Sequence, residues 1–567
     1  MRKTSRHWQL LSLGCTVFIS AASAQSVTTQ TPIRHLVVIV GENTSFDSLF
    51  ATYQPPAGQT VQNLLSLGIV EADGSPGPAY KQALQKQAQT QGRFGVDLQQ
   101  TTPYSALPRP YARMEPGAPK RLDEKIPARL PPGPYPITRY RPYTEYSDSN
   151  PVHRFFQMWQ QVNAGRHDLF AWTGQTSGEG ARDKSRDPSK GTVHGGESMG
   201  FYNMAAGDAP YFKTLATQYA MSDNYHQAIM GGTMANFQFI ASGDVVHYTL
   251  GGLAATPAEN LVENPEPLPG SANWYTQSGY ASGSYVACAD EQQPGVSAIR
   301  AYLRSLPYKA FRDGNCAPGH YYLVNNLPQP YTFRGVKKVL PAHAPTATAQ
   351  NQPTLITQLE AAQISWKWYH GGRSANALKK GEYSGDTDPL TFYTQIMESR
   401  QVRKLQSDED FMNDVERDEL PAISFVSPPL SKSGHPHHGS PAHFESYVQA
   451  IIEKVQRNEK LWAHTAILVT FDEGGGYFDS GYVQPIDFFG DGTRVPLLLV
   501  SKWAKPGHIE HSYYDHASIH KFIQRNWSLK PISDRTRDNL PNPMHARDLY
   551  IPDNRPAVGD LFEMFRF

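Results

Sequence analysis

Six short runs of almost uninterrupted apolar, mostly β-branched residues constrain this chain more than anything else in it. Residues 33–40 read Ile-Arg-His-Leu-Val-Val-Ile-Val, and similar runs recur at 219–224, 364–369, 422–426, 466–471 and 495–500. A strand with one wet face alternates apolar and polar residues; a strand covered on both faces does not. Helical patterns lie between the runs, as at 447–456 and 516–527. That order predicts an α/β fold: a three-layer α/β/α sandwich around a mostly parallel sheet. Ligands of such sheets bind beyond the carboxyl ends of the strands, so the residues following each run are the first to inspect.

Those residues are polar. Glu42 and Asn43 follow the first run, and Asp472 and Glu473 follow 466–471. Gly474-Gly475-Gly476 comes next, which lets backbones approach closely. His370 follows 364–369, and His435-Pro436-His437-His438 comes a short loop after 422–426. Taken singly, each pair reads equally well as a strand-end turn or a helix cap. Together, three carboxylates and an amide oxygen from separate strands suit one divalent cation. Oxygen ligands favour Mg²⁺, Mn²⁺ or Ca²⁺ over a thiolate zinc site, with Zn²⁺ left as the alternative.

Thr233 completes a chemistry. Gly231-Gly232 precede it and a helical pattern follows, which puts its hydroxyl near a helix N-terminus. There it is either an N-cap or, beside a divalent metal, a nucleophile whose negative charge the helix end stabilises.

Arg2, Lys3 and Arg6 precede an apolar stretch, 10–22, that ends in Ala22-Ser23-Ala24. This is the order of an export signal cleaved after Ala24, which makes 1–24 a signal peptide and leaves 25–567 as the mature chain, expected to form one domain, periplasmic or secreted. Cys15 would leave with the signal. Cys288 and Cys316 then remain in an oxidising compartment and are expected to form one disulfide, worth roughly 3 kcal/mol in the chain-entropy model. Lys+Arg and Asp+Glu balance at 52 each, so no global basic field calls for nucleic acid. No apolar run reaches the roughly 18 residues of a membrane span, so no stable membrane anchor is expected.

In sequence order the motifs resemble the bacterial phosphoesterase family of secreted acid phosphatases and phospholipases C, part of the alkaline-phosphatase-like superfamily. The resemblance runs through Gly41-Glu42-Asn43, Ser45-Phe46-Asp47, His153, Asn163-Ala164-Gly165, Asp168 and Met199-Gly200-Phe201-Tyr202. It continues through Ser222-Asp223-Asn224-Tyr225, Gly232-Thr233, Ser427-Pro428-Pro429, His435-Pro436 and Thr470-Phe471-Asp472-Glu473-Gly474-Gly475-Gly476. Gly492-Thr493-Arg494-Val495-Pro496 and Tyr514-Asp515-His516 complete it.

The resemblance implies that Glu42, Asn43, Asp472 and Glu473 hold the metal together with Thr233, the nucleophile. It implies that His153, His370 and His435 line the pocket and contact phosphate or the leaving group. His437 and His438 are substitutes for His435, and Asn236 and Arg494 are candidate substrate contacts; for Arg494 a structural role fits as well. A histidine with a pKa near 6.5 would protonate the leaving oxygen. Ala235 and Phe237 depart from the family's usual Pro and Arg. The expected activity is hydrolysis of small phosphomonoesters. Phospholipase C is the alternative, disfavoured by the short stretch after residue 527, and an inactive phosphate-ligand binder is the alternative of another class.

Two insertions stand out. Residues 101–151 are crowded with Pro, Tyr and Arg and read as a polyproline-like excursion over the surface, a strap or a lid. Residues 251–353 carry both remaining cysteines and read as a disulfide-pinned cap, and 174–195 as a Gly-rich loop.

Overall fold

The computed structural model describes residues 28–89, 92–110, 122–145, 147, 150–177, 195–267, 283–339 and 345–567. The expected export signal at 1–24 lies outside the described residues, as does most of the 174–195 loop. No helix among the described residues is long and apolar enough to cross a membrane.

All six apolar runs form strands of one eight-stranded sheet. In chain order they are β1 (His35–Gly41), β2 (Ala220–Ser222), β3 (Trp366–His370), β5 (Ile423–Ser427), β6 (Thr465–Phe471) and β7 (Leu497–Ser501). Two edge strands of two residues, β4 (Leu405–Gln406) and β8 (Ile509–Glu510), join them. The spatial order is β4-β3-β5-β1-β6-β7-β2-β8. Every position of β5, β6 and β7 is buried, and all but the first of β1. Successive side chains point to opposite faces, so uniform burial means that both faces are covered. One helical layer centres on α3 (Pro441–Arg457), which packs against the helices Pro210–Gln218 and Asp408–Glu416. The other centres on α2 (Thr233–Ser242), against Leu355–Ala361 and α4 (Ala517–Trp527).

Only β7 breaks the parallel pattern, running antiparallel to both β6 and β2. Its reversal brings its leading residues, Thr493–Pro496, to the end of the sheet where β1 and β6 finish.

The insertions are built into the fold. Beyond residue 121 the Pro-rich segment does not merely skirt the surface. Ile126, Leu130 and Tyr135 are buried in a satellite core with Phe170, Trp172 and Phe201. Val286, Cys288, Ile299, Tyr322 and Val324 of the second insertion share a core with α1 (Phe155–Val162) and with Phe488 and Phe489. Cys288 and Cys316 form the expected disulfide.

Candidate active site

The β1–β6 pair builds the floor of the site. Gly41 and Phe471 are register partners, so the residues after them emerge side by side. A Cβ on Gly41 would lie 2.6 Å from the Phe444 ring, so only glycine lets α3 pack here. Beyond the strands the two chains cross-link. Asp472 N donates to Gly41 O (3.0 Å), Thr44 N to Glu473 O (3.0 Å) and Asn43 N to Asp472 Oδ1 (3.1 Å). Asn43 adopts a left-handed φ of 56°, and Gly475 (φ 62°) passes so close that a Cβ would meet Asn43 Cβ at 2.7 Å. From below, His516 Nε2 bonds the carbonyl of Asp472 (2.7 Å), and its Nδ1 pairs with the Tyr225 hydroxyl (2.9 Å).

This crossing buries Glu42, Asn43, Asp472 and Glu473, all at most 3% exposed. Burial, then mutual repulsion, pushes Glu42 and Glu473 well above the usual carboxylate range. Burial raises Asp472 to about 7 against its hydrogen bonds, and the Thr233 hydroxyl is among the groups favouring its charged form. Asn43 Oδ1, Asp472 Oδ2 and Glu473 Oε1 are buried with no hydrogen-bond partner. A buried, unpaired carboxylate oxygen is costly unless a proton or a cation meets it. Among the described residues, no three His, Cys, Asp or Glu side chains already close into a metal shell. The fit therefore rests on the mixed set of carboxylates, amide and hydroxyl with its orphaned oxygens, and that set suits a hard divalent ion.

Thr233 is the first residue of α2, at 2% exposure. Gly232 precedes it and offers no side-chain cap. Asn236 knits the preceding loop: its Oδ1 accepts from Ile229 N (3.0 Å), and its Nδ2 donates to Gly231 O (2.9 Å) and Ile229 O (3.1 Å). Asn236 thus shapes the turn that leads into Thr233.

The histidines divide. His153 Nδ1 bonds Pro151 O (2.7 Å), and its Nε2 lies 3.7 Å from Glu473 Oε1, inside the site. His435 is close enough for the charges of His153 and His438 to disfavour its protonation, and its Nδ1 bonds the carbonyl of Pro436. Burial lowers its pKa to about 3, against the expected value near 6.5. His437 and His438 are exposed beside it. His370 spends both ring nitrogens within the protein. Its Nδ1 accepts from Gly372 N (2.9 Å), and its Nε2 bonds Thr387 Oγ1 (2.8 Å) and Ser384 O (3.1 Å). Both ring nitrogens hold a loop. Arg494 takes the structural one of its two expected roles: it is wholly buried, with its donors spent on Asp47, Asp479, Gln62 O and Asp223 O.

Asp386 was missed by sequence reasoning. Its charge raises the pKa of Glu42, and burial raises its own to about 6. It follows no strand directly, so its only signal is the polar tract 384–388.

A family model described as the Phosphoesterase family matches residues 33–530. Over 394 residues the chain is 23% identical to a hemolytic phospholipase C of Pseudomonas aeruginosa, covering 65% of this chain and 43% of that protein. Over 200 residues it is 25% identical to a probable acid phosphatase of Kluyveromyces lactis, covering 33% and 45%. The chain thus spans less than half the length of these relatives. A Vibrio parahaemolyticus protein of the alkaline phosphatase superfamily is 9% identical over 58% of this chain and 63% of its own, at a TM-score of 0.27, too low to bear on the site. With the matched region running from just before β1 to just past α4, the chain belongs to the Phosphoesterase family.

Proposed function

We propose that the protein is a metal-dependent phosphoesterase that hydrolyses phosphomonoesters through Thr233. The observation that carries this reading is the Thr233 hydroxyl at the start of α2, beside Asp472 and a set of buried oxygens that lack hydrogen-bond donors. Glu42, Asn43, Asp472 and Glu473 would hold one divalent ion. When bound, that ion supplies positive charge that lowers the hydroxyl pKa of Thr233 and balances phosphate charge. The Thr233 oxygen forms a bond to phosphorus as the bond from phosphorus to the ester oxygen breaks, and the alcohol departs with a proton. Water then cleaves the phosphothreonine, releasing phosphate and restoring the hydroxyl. The N-terminus of α2 favours the negative charge that gathers on the transferred group. His153, whose Nε2 lies 3.7 Å from Glu473 Oε1, and His435 would each turn Nε2 toward the phosphate oxygens. Export is supported by the leader-like pattern at 1–24 and by the disulfide.

A second reading, phospholipase C, rests on the names of relatives. Hemolytic and non-hemolytic phospholipases C of Pseudomonas aeruginosa match at 23% and 24% identity. Turnover of p-nitrophenyl phosphate against phosphatidylcholine, each with and without chelator, separates the two. Preference for the monoester, abolished by chelation, is expected. Hydrolysis of the lipid alone would replace the first reading with the second, and chelator-resistant turnover would remove the metal from both.

A further inference from the structure

Two helices begin at the site, and neither caps itself. α1 starts at Phe155, two residues after His153, and α2 starts at Thr233; no side chain at the N-cap position of either bonds back into its helix. Yet both N-termini are buried, where an unpaired N–H is costly. The missing acceptors arrive from the disulfide-bearing insertion, on consecutive residues. Asn325 Oδ1 accepts from Phe155 N (3.0 Å), and Asn326 Oδ1 accepts from Met234 N (3.0 Å).

The two asparagines are held in turn. Val324 N donates to Ser284 O (2.8 Å), and the Ser284 hydroxyl donates to Asn326 O (3.1 Å). Val324 O lies so close to Gly231 that a Cβ there would sit 2.3 Å away. Asn326 Nδ2 also reaches Asp386 Oδ2 at 3.4 Å, the carboxylate whose charge Glu42 feels.

We infer that Asn325 and Asn326 form a two-headed clamp that sets His153 and Thr233 in register, so that the insertion is a working part of the site. The inference rests on the reading of Thr233 as nucleophile. Asn326 is a positioning residue: its amide fixes the backbone of the residue after Thr233, and through it the direction of the hydroxyl. Loosening a nucleophile by about 1 Å costs up to roughly a hundredfold in rate while leaving substrate contacts in place. Asn326→Ala is therefore expected to lower kcat on p-nitrophenyl phosphate by between about tenfold and a hundredfold, with KM within about twofold because the phosphate ligands remain. Asn326→Gln keeps a neutral amide acceptor for Met234 N–H without setting a second carboxylate against Asp386 Oδ2, and is expected to recover part of the lost kcat. It also serves as the test should the alanine variant fold poorly.

Rates are taken per folded molecule, from circular dichroism, beside Thr233→Ala in the same assay. A kcat for Asn326→Ala within about twofold of wild type, or a glutamine variant no better than alanine, overturns the clamp. If Thr233→Ala remains active, the nucleophile reading fails and the clamp falls with it. If only the Asn326 results fail, the nucleophile reading stands alone.

Discussion

Replacing Arg494 with glutamine tests whether that side chain serves the substrate or the fold. The guanidinium lies over the Phe46 ring at 4.7 Å, and its Nε and Nη2 approach Asp479 at 3.0 Å. Nη2 also reaches Asp47 at 3.2 Å, and Nη1 donates to Gln62 O (2.7 Å) and Asp223 O (2.8 Å). Arg494, Asp47 and Asp479 are all at most 1% exposed. Against the cost of burial, Arg494 holds Asp479 below the usual carboxylate range, whereas Asp47, further from it, is pushed up to about 7 by burial. Removing the cation leaves two carboxylates facing one another in a dry pocket. Breaking a buried pair from one side costs about 3–5 kcal/mol. A chain of 567 residues unfolding as one unit has an unfolding entropy of about 1.2 kcal/mol/K, from about 2.1 cal/mol/K per residue. The expected fall in Tm is then only about 3–4 °C, so urea titration at 25 °C is the better assay. Arg494→Gln should lose those 3–5 kcal/mol while the folded fraction keeps KM for p-nitrophenyl phosphate within about twofold. Adding Asp479→Asn should return part of the loss. Stability within about 1 kcal/mol of wild type together with a tenfold rise in KM would refute this reasoning and make Arg494 a phosphate ligand.

Thr233→Ala should abolish turnover at a stability cost of about 1 kcal/mol or less, checked by steady-state kinetics and urea unfolding. Dialysis against chelator should remove activity and lower Tm together, because a site that binds only the folded chain stabilises it; adding back Mg²⁺, Mn²⁺, Ca²⁺ or Zn²⁺ singly should identify the ion that restores both. His435→Asn should slow p-nitrophenyl phosphate and glycerol phosphate to a similar degree, because burial holds this imidazole neutral with a pKa of about 3, which suits binding better than proton donation. A much larger loss on the alkyl ester would return the acid role to it. His226, stacked 4.3 Å from the Tyr513 ring, has its pKa lowered to about 3 by burial. Below pH 6.5 the unfolded chain takes up a proton that the folded one refuses, so this residue's share of stability is lost as pH falls from 6.5 toward 3, by at most about 1.4 kcal/mol per pH unit. His226→Gln should remove that share of the slope between pH 6.5 and 4.5.

What the sequence made legible follows from where each signal lies along the chain. A strand buried on both faces has no choice but to be apolar at every position, so six strands of the sheet announce themselves. Leu405–Gln406 and Ile509–Glu510 are too short to carry any period, and composition is the same whichever way a strand runs, so the reversal of β7 is silent. Glu42, Asn43, Asp472 and Glu473 were readable because their backbone is delivered to the site by the strand itself. His370 and Arg494 occupy equally suggestive positions, yet Gly372, Thr387, Asp47 and Asp479 consume their polar atoms. Asp386, Asn325 and Asn326 show the converse: no strand of the central sheet leads to them, only the two-residue strand Tyr322–Leu323 precedes the asparagines, and they act through groups distant in the chain. A strand end decides where a functional group can be. Whether its polar atoms remain available is decided by partners far away in sequence, and in this fold the insertions supply part of them.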